Sequence, residues 1–240
     1  MYKINYYWQY QPDNSDTELL DDPLLIIRDL SEVIIQYFDF NAENVLTIVD
    51  FPSNGNPTCL DSQHIIILAT KGNRFFLQNA YQLAHELCHY IIREKSKIID
   101  NNSWFEESIC ELCSIFFLKI IQLRWSVSPE PIKQSCSTMF NEYIEGIFTR
   151  KKEFDLTTLS QNNSFEYRLL NDDEYKREHN NFNAQQLLPI FETNPNLWKE
   201  IFLIRTYNSS DLNTFFKKWS SDSSAENKDS ILMIKQLFFN

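Results

Sequence analysis

The spacing of apolar residues divides the chain into a front part that mixes strands with helices and a back part that reads as helices and loops. Tyr2 to Tyr10 reads as a short strand or extended arm, and Pro12 to Thr17 as a polar loop. Pro23 opens a helix in which Leu24, Ile27, Leu30, Ile34, Ile35 and Phe38 recur at helical spacing, a face suited to packing on a sheet. Val45 to Phe51 is a β-rich run closed by the turn residues PSNGNP. HIIILAT, from His64 to Thr70, is the second clear strand, and KGNR turns it into Phe75 and Phe76.

Two strongly patterned helices follow. In Tyr81 to Arg93, YQLAHELCHYIIR, the residues Tyr81, Ala84, Leu87, Cys88, Ile91 and Ile92 form one apolar face at about 100° per residue. His85 and His89 fall on its border, and Glu86 lies further round, past His89, on the polar side. The helix is expected to end near Lys97 and the chain to turn through Asp100, Asn101 and Asn102. Ser103 then serves as N-cap, with Glu106 completing a capping box. In this second helix Phe105, Ile109, Leu112, Cys113, Phe116, Ile120 and Leu123 share an apolar arc, while Glu107, Glu111 and Ser114 share a narrow polar stripe.

SVSPEP breaks the pattern after Trp125, and Ile132 to Phe148 reads as one helix. Ser160 to Asn183 is polar and punctuated by aromatics, a loop that could lie over a cleft. Helices resume at Ala184 to Phe191, Asn196 to Tyr207 and Ser210 to Trp219, and SSDSSAENKD connects them to a last helix from Ile231 to Phe239. The predicted fold is α+β: a small mixed sheet and two long helices in residues 1–125, then a mainly helical lobe in residues 126–240 that could be continuous with them.

The chemistry concentrates in HELCH. Residues four apart stack on one side of a helix, so His85 and His89 can offer two imidazole nitrogens to a single Zn²⁺. Glu86 beside them is suited to take a proton from water, as a general base. A third ligand is expected one element downstream, where Glu107 is the choice. Glu111, one turn on, could orient a ligand histidine through its second ring nitrogen. His64 reads as a strand-end histidine.

HELCH followed by WFEESICE resembles the gluzincin branch of the zinc metallopeptidases, in which HExxH supplies two ligands and a later helix supplies a glutamate. The resemblance covers about Ile65 to Leu123. It implies a zincin-like fold, with His85, His89 and Glu107 as ligands and Glu86 as general base. Size and helix content are also similar to the ImmA/IrrE-like intracellular peptidases, although Cys88 and CELCSIFF stand where those proteins tend to carry glycine or small residues. The resemblance further implies that the strand before the HExxH helix, Ile65 to Leu68, pairs with an extended substrate, against the reading of an ordinary sheet strand. A tyrosine or histidine from the later lobe would donate to the oxyanion, and Tyr167, Tyr175 and His179 are the candidates.

Bulk properties narrow the partners. A net charge of −11 and no basic run weigh against a nucleic-acid backbone or an anionic membrane. The first ten residues lack the aliphatic core of a secretory signal, and no run of eighteen apolar residues occurs, so a soluble cytoplasmic protein is expected. Five cysteines, an odd number, fit reduced thiols, and three glycines leave no phosphate-binding loop. The expected work is cleavage of a protein or peptide, with one restricted target and an activating or inhibitory protein partner among the possibilities. Two other readings stay open: a closed Cys₂His₂ site of His85, His89, Cys110 and Cys113, and a binding protein that kept a peptidase fold without turnover.

Overall fold

The computed structural model describes residues 4–8, 24–41, 44–70, 75–96, 102–206, 209 and 211–239. Pro23, the KGNR turn, Lys97 and the predicted turn from Asp100 to Asn101 lie outside these residues. The architecture is α+β, as the periodicities predict, with four strands and nine α-helices among the described residues. The chain divides into two compact units, Met1–Tyr90 with Cys113–Glu145, and Ile91–Leu112 with Gly146–Asn240.

The first unit holds the sheet, whose order is β1 (Ile4–Trp8), β2 (Leu46–Asp50), β4 (Ile65–Leu68), β3 (Thr58–Leu60). β1, β2 and β4 run parallel, with Ile4 opposite Leu46 and Thr47 opposite Ile65. A parallel pair needs a crossover, and α1 (Leu24–Tyr37) supplies it between β1 and β2, burying Ile27, Leu30 and Ile34 completely. β3 is the strand that the apolar pattern missed. Its three residues pair antiparallel with β4, Leu60 opposite Ile65 and Thr58 opposite Ile67. A 3₁₀ turn at Asp61–Gln63 and a left-handed His64, φ 55°, close the hairpin. β4 therefore has a neighbour on each side, which removes Ile65 to Ile67 as a pairing edge for an extended peptide.

α2 (Phe76–Lys95) carries HELCH and is pinned along β4. Beyond the C-terminal end of the strand, Ala69 N donates to Gln82 Oε1 at 2.9 Å and the Thr70 hydroxyl donates to Asn79 Oδ1. Before its N-terminal end, His64 Nδ1 and the Tyr90 hydroxyl are 3.0 Å apart. These ties fix α2 antiparallel to β4. Aromatic packing completes this unit, with Phe76 stacked on Trp125, Phe140 edge-on to both, and Trp125 Nε1 donating to Asp29 at 2.7 Å.

α3 (Ser103–Ser126) begins at Ser103 itself, one residue before the predicted start. Phe105 N already bonds the Asn102 carbonyl at 2.8 Å, so Asn102 takes the capping place assigned to Ser103. From Trp104 to Leu118 every residue is buried, and the expected one-sided arc is a helix buried all round. Leu123, placed in that arc by periodicity, is 65 % exposed because only the end of the helix reaches solvent.

The predicted helix over Ile132 to Phe148 is two, α4 (Pro131–Ser137) and α5 (Met139–Phe148). The second unit corrects the sequence reading most. Ser160 to Asn183 is not a loop: it holds α6 (Phe165–Asp172), capped by Ser164, and the first turns of α7 (Arg177–Thr193). The connector SSDSSAENKD is also largely helical, shared between α8 (Leu212–Asp222), a 3₁₀ turn at Ala225–Asn227 and α9 (Lys228–Phe238). Asn196 to Tyr207 lies mainly in a 3₁₀ run, Pro195–Arg205. Phe105 packs at the centre of this unit against Phe215, Phe216, Trp219 and Phe238. No helix among the described residues is long and apolar enough to cross a membrane.

The sheet makes a sided prediction. Ile66 is fully buried and Ile67 only partly. Ile66→Ala is expected to lower the unfolding free energy by about 2–5 kcal/mol, and Ile67→Ala by less than half as much, both read from urea denaturation. Equal losses would mean that β4 does not bury one face in preference to the other.

Candidate metal centre

His85, His89 and Glu107 converge: one ligand atom from each lies within 4.8 Å of the other two. Two ligands about 2.1 Å from one zinc ion can be at most about 4.2 Å apart. In a tetrahedral set the ligand atoms stand about 3.4 Å apart, so the group would have to draw in by up to about an ångström to hold an ion, a movement within the reach of side-chain rotation. The imidazole rings are 5.0 Å apart, centre to centre, as expected for neighbours one turn apart on α2. Of the residues from Asn79 to Ile92, His85 alone is more than marginally exposed, so solvent meets the group at that ring. His89 is 3 % exposed and Glu107 is 7 % exposed.

The carboxylates are deeper than the polar-stripe reading implied. Glu86, placed on the polar side of α2, is 6 % exposed, and Glu111 is 2 % exposed. Glu111 follows Glu107 by one turn but is not one of the three converging residues. Ser114, the third residue of the stripe, donates its hydroxyl to the Tyr81 carbonyl at 3.0 Å. The polar stripe on α3 therefore faces inward. A carboxylate in such surroundings needs positive charge or hydrogen bonds to stay ionised.

No family model, curated protein or solved structure matches this chain. The case for a metal consequently rests on the donor set. Two imidazoles and a carboxylate are ligand types that zinc accepts, and three protein ligands are what an open site provides. The closed Cys₂His₂ alternative finds no support. Cys110 and Cys113 are fully buried in α3, and neither joins the histidines in a ligating group among the described residues. All five cysteines are buried thiols, free of disulfides.

Sequence reasoning missed the residues that fix this carboxylate helix. Arg93 lies one turn beyond His89 on α2, and its Nε donates to Glu106 Oε1 at 3.0 Å. Arg205 forms an ion pair with the other Glu106 oxygen, also at 3.0 Å. Glu106 is 2 % exposed, so its charge is held by the two guanidinium groups flanking it. The i, i+4 spacing of His89 and Arg93 could have hinted at this pairing, but nothing in the sequence links Arg205 to it.

The three candidate oxyanion donors separate. Tyr167 is buried on α6, and burial raises its hydroxyl pKa. His179 is 6 % exposed and packs against Phe154, with ring centres 5.4 Å apart. Tyr175, in the turn between α6 and α7, differs from both. Although Tyr175 is largely exposed, its pKa is raised by partial desolvation and by the Glu174 and Glu107 carboxylates, against a lowering by Arg93. Tyr175 is thus the one of the three whose shift carries a contribution from Glu107.

Two outcomes test this description. Glu106→Gln leaves the partly buried Arg93 and Arg205 without their buried carboxylate and is expected to destabilise the fold by about 1–3 kcal/mol. Arg205→Met should recover part of that loss in the double variant, and equilibrium denaturation of the four proteins measures both. His179 has its pKa held below the ordinary value by burial and by Lys152, so the unfolded chain binds its proton first. Stability should accordingly fall as pH drops below about 6.5. His179→Gln should flatten that fall when unfolding is measured between about pH 8 and pH 5.

Proposed function

We propose that this protein is a zinc metallopeptidase of zincin-like fold, with His85, His89 and Glu107 as metal ligands. The observation that carries the metal-site part of the reading is the convergence of those three side chains from two helices. Burial adds support. Glu86, Glu106, Glu107 and Glu111 are each less than 8 % exposed, and the Arg93 and Arg205 pair answers Glu106 directly. The match between HELCH and the HExxH pattern supplies the reaction class.

When bound, zinc supplies positive charge that polarises a peptide carbonyl and acidifies water. The residues of the chain do the rest. Glu86, directly after His85 on α2, accepts the proton of the attacking water and returns it to the leaving amine. Tyr175 is the favoured donor to the oxyanion that develops. An extended peptide has a different docking edge from the one expected, because β4 is paired on both sides. β3 is a terminal strand of the described sheet, on the β4 side, and is the edge along which such a peptide would lie. Substrates are peptides or unfolded protein segments, and an acidic chain of net charge −11 favours those that are not strongly acidic.

Metal analysis tests the site first. Purified protein should hold near-stoichiometric zinc that is lost in His85→Ala and Glu107→Ala and kept in Cys110→Ala, each variant checked for folding by circular dichroism. Glu86→Gln should keep the metal and cut a mixed peptide library about 10²- to 10⁴-fold more slowly, read by mass spectrometry. Zinc that follows Cys110 would return the structural-site reading. Wild-type protein that binds no metal would remove the proposal.

A further inference from the structure

The segment Arg177 to Asn183 contains three asparagines that α7 turns inward: Asn180, Asn181 and Asn183 are 4 %, 1 % and 1 % exposed. Buried amides are costly unless hydrogen-bonded, and these reach different elements of the second unit. Asn181 Nδ2 donates to the carbonyls of Ile147 at 2.7 Å and Arg150 at 3.0 Å, which fastens α7 to the end of α5. Asn183 Nδ2 donates to the Ser108 hydroxyl at 3.0 Å, on α3. Asn180 reaches two ways. Its Nδ2 donates to the Glu174 carbonyl at 2.6 Å, and its Oδ1 accepts from Ser108 Oγ at 3.2 Å.

Donor and acceptor roles make the link directional. With the amide NH₂ of Asn180 on Glu174, only Oδ1 remains to face Ser108. The serine hydroxyl has a single proton, which it shares between Asn180 Oδ1 and the Trp104 carbonyl at 2.9 Å. Ser108 directly follows Glu107, and Glu174 directly precedes Tyr175. One buried side chain therefore connects the neighbour of the ligand carboxylate to the neighbour of the tyrosine. The backbone N–H groups of His179 and Asn180 also bond the Lys176 carbonyl, both at 3.0 Å, which roots the end of the turn in α7; the side-chain ties of the turn itself lie at the surface. Lys176 and Asp173 form an ion pair at 2.6 Å with both side chains well exposed, a kind of pair that contributes little. Tyr175 N donates to Asp173 at 3.2 Å, and the Tyr175 side chain is itself 71 % exposed.

We propose that Asn180 is a positioning residue that ties the Tyr175 turn to α3 beside Glu107, so that the tyrosine stands in place before a substrate arrives. Holding it in advance removes an ordering cost from the reaction step. Its use in turnover rests on the peptidase reading above; the tie itself does not.

The test uses the full chain with 3-fluorotyrosine placed at position 175 and fluorine NMR recorded first on metal-free protein. Asn180→Ala and Ser108→Ala remove the two ends of the tie, and Asn181→Ala removes a neighbouring amide that serves α5 instead. The tie predicts one resonance, shifted from that of the free amino acid, in the wild type and Asn181→Ala. It should move toward the free value in Asn180→Ala and in Ser108→Ala. An unmoved resonance in whichever of these two variants folds overturns the proposal. Zinc is added afterwards. A wild-type spectrum that ignores zinc would count against the metal reading, while the metal-free comparison still decides the role of Asn180.

Discussion

Buried charge is the constraint on which the centre of this protein depends. α2 and α3 are apolar helices that nevertheless place His89 and the carboxylates of Glu86, Glu106, Glu107 and Glu111 at 7 % exposure or less. Moving a carboxylate out of water costs several kcal/mol even after the surroundings relax. Such a residue persists only where positive charge or hydrogen bonds answer it. Arg93 and Arg205 answer Glu106, and the gathering of Glu107 with two imidazoles is an arrangement in which a divalent cation would answer the next.

Position in the site is set by polar ties that also hold the fold. Gln82 and Asn79 grip the chain just past β4, and Tyr90 meets His64 just before it, so α2 is held in register with the strand at both ends. Ser114 bonds the carbonyl of Tyr81, four residues before His85. On the side of Glu107, Arg93 and Glu106 join α2 to α3 one turn beyond His89 and one residue before Glu107. Each tie is buried or partly buried, where a hydrogen bond is stronger and its loss more costly than at the surface. These ties hold the two helices in place around His85, His89 and Glu107.

The second unit shows how composition misleads. Ser160 to Asn183 is rich in Asn, Asp and Glu, the residues of turns and loops. In the fold it is mostly helix, with Asn180, Asn181 and Asn183 turned inward and bonded to backbone carbonyls and to Ser108. An asparagine has no preference between solvent and a buried partner until that partner is in place. Tyr175 gains its interest in the same way, from an environment that includes Glu107 and Arg93.

Apart from Glu107, to which the likeness of WFEESICE to a gluzincin ligand helix also pointed, local periodicity and spacing determined the helix of α1, the strands β2 and β4, and the course of α2 with its two histidines one turn apart. These are short-range properties: a 3.6-residue repeat fixes which side chains share a face, and i, i+4 spacing brings two imidazoles together whatever the rest of the chain does. Only the tertiary structure decided what lies far apart in sequence. It closed β4 with a three-residue strand too short to register as a pattern, buried α3 on every side, paired Arg205 with Glu106 across ninety-nine residues, and joined Asn180 to Ser108 across seventy-two. Those contacts exist because burial makes each polar group find a partner, and which partner is near enough depends on the packing of the whole fold rather than on its neighbours along the chain.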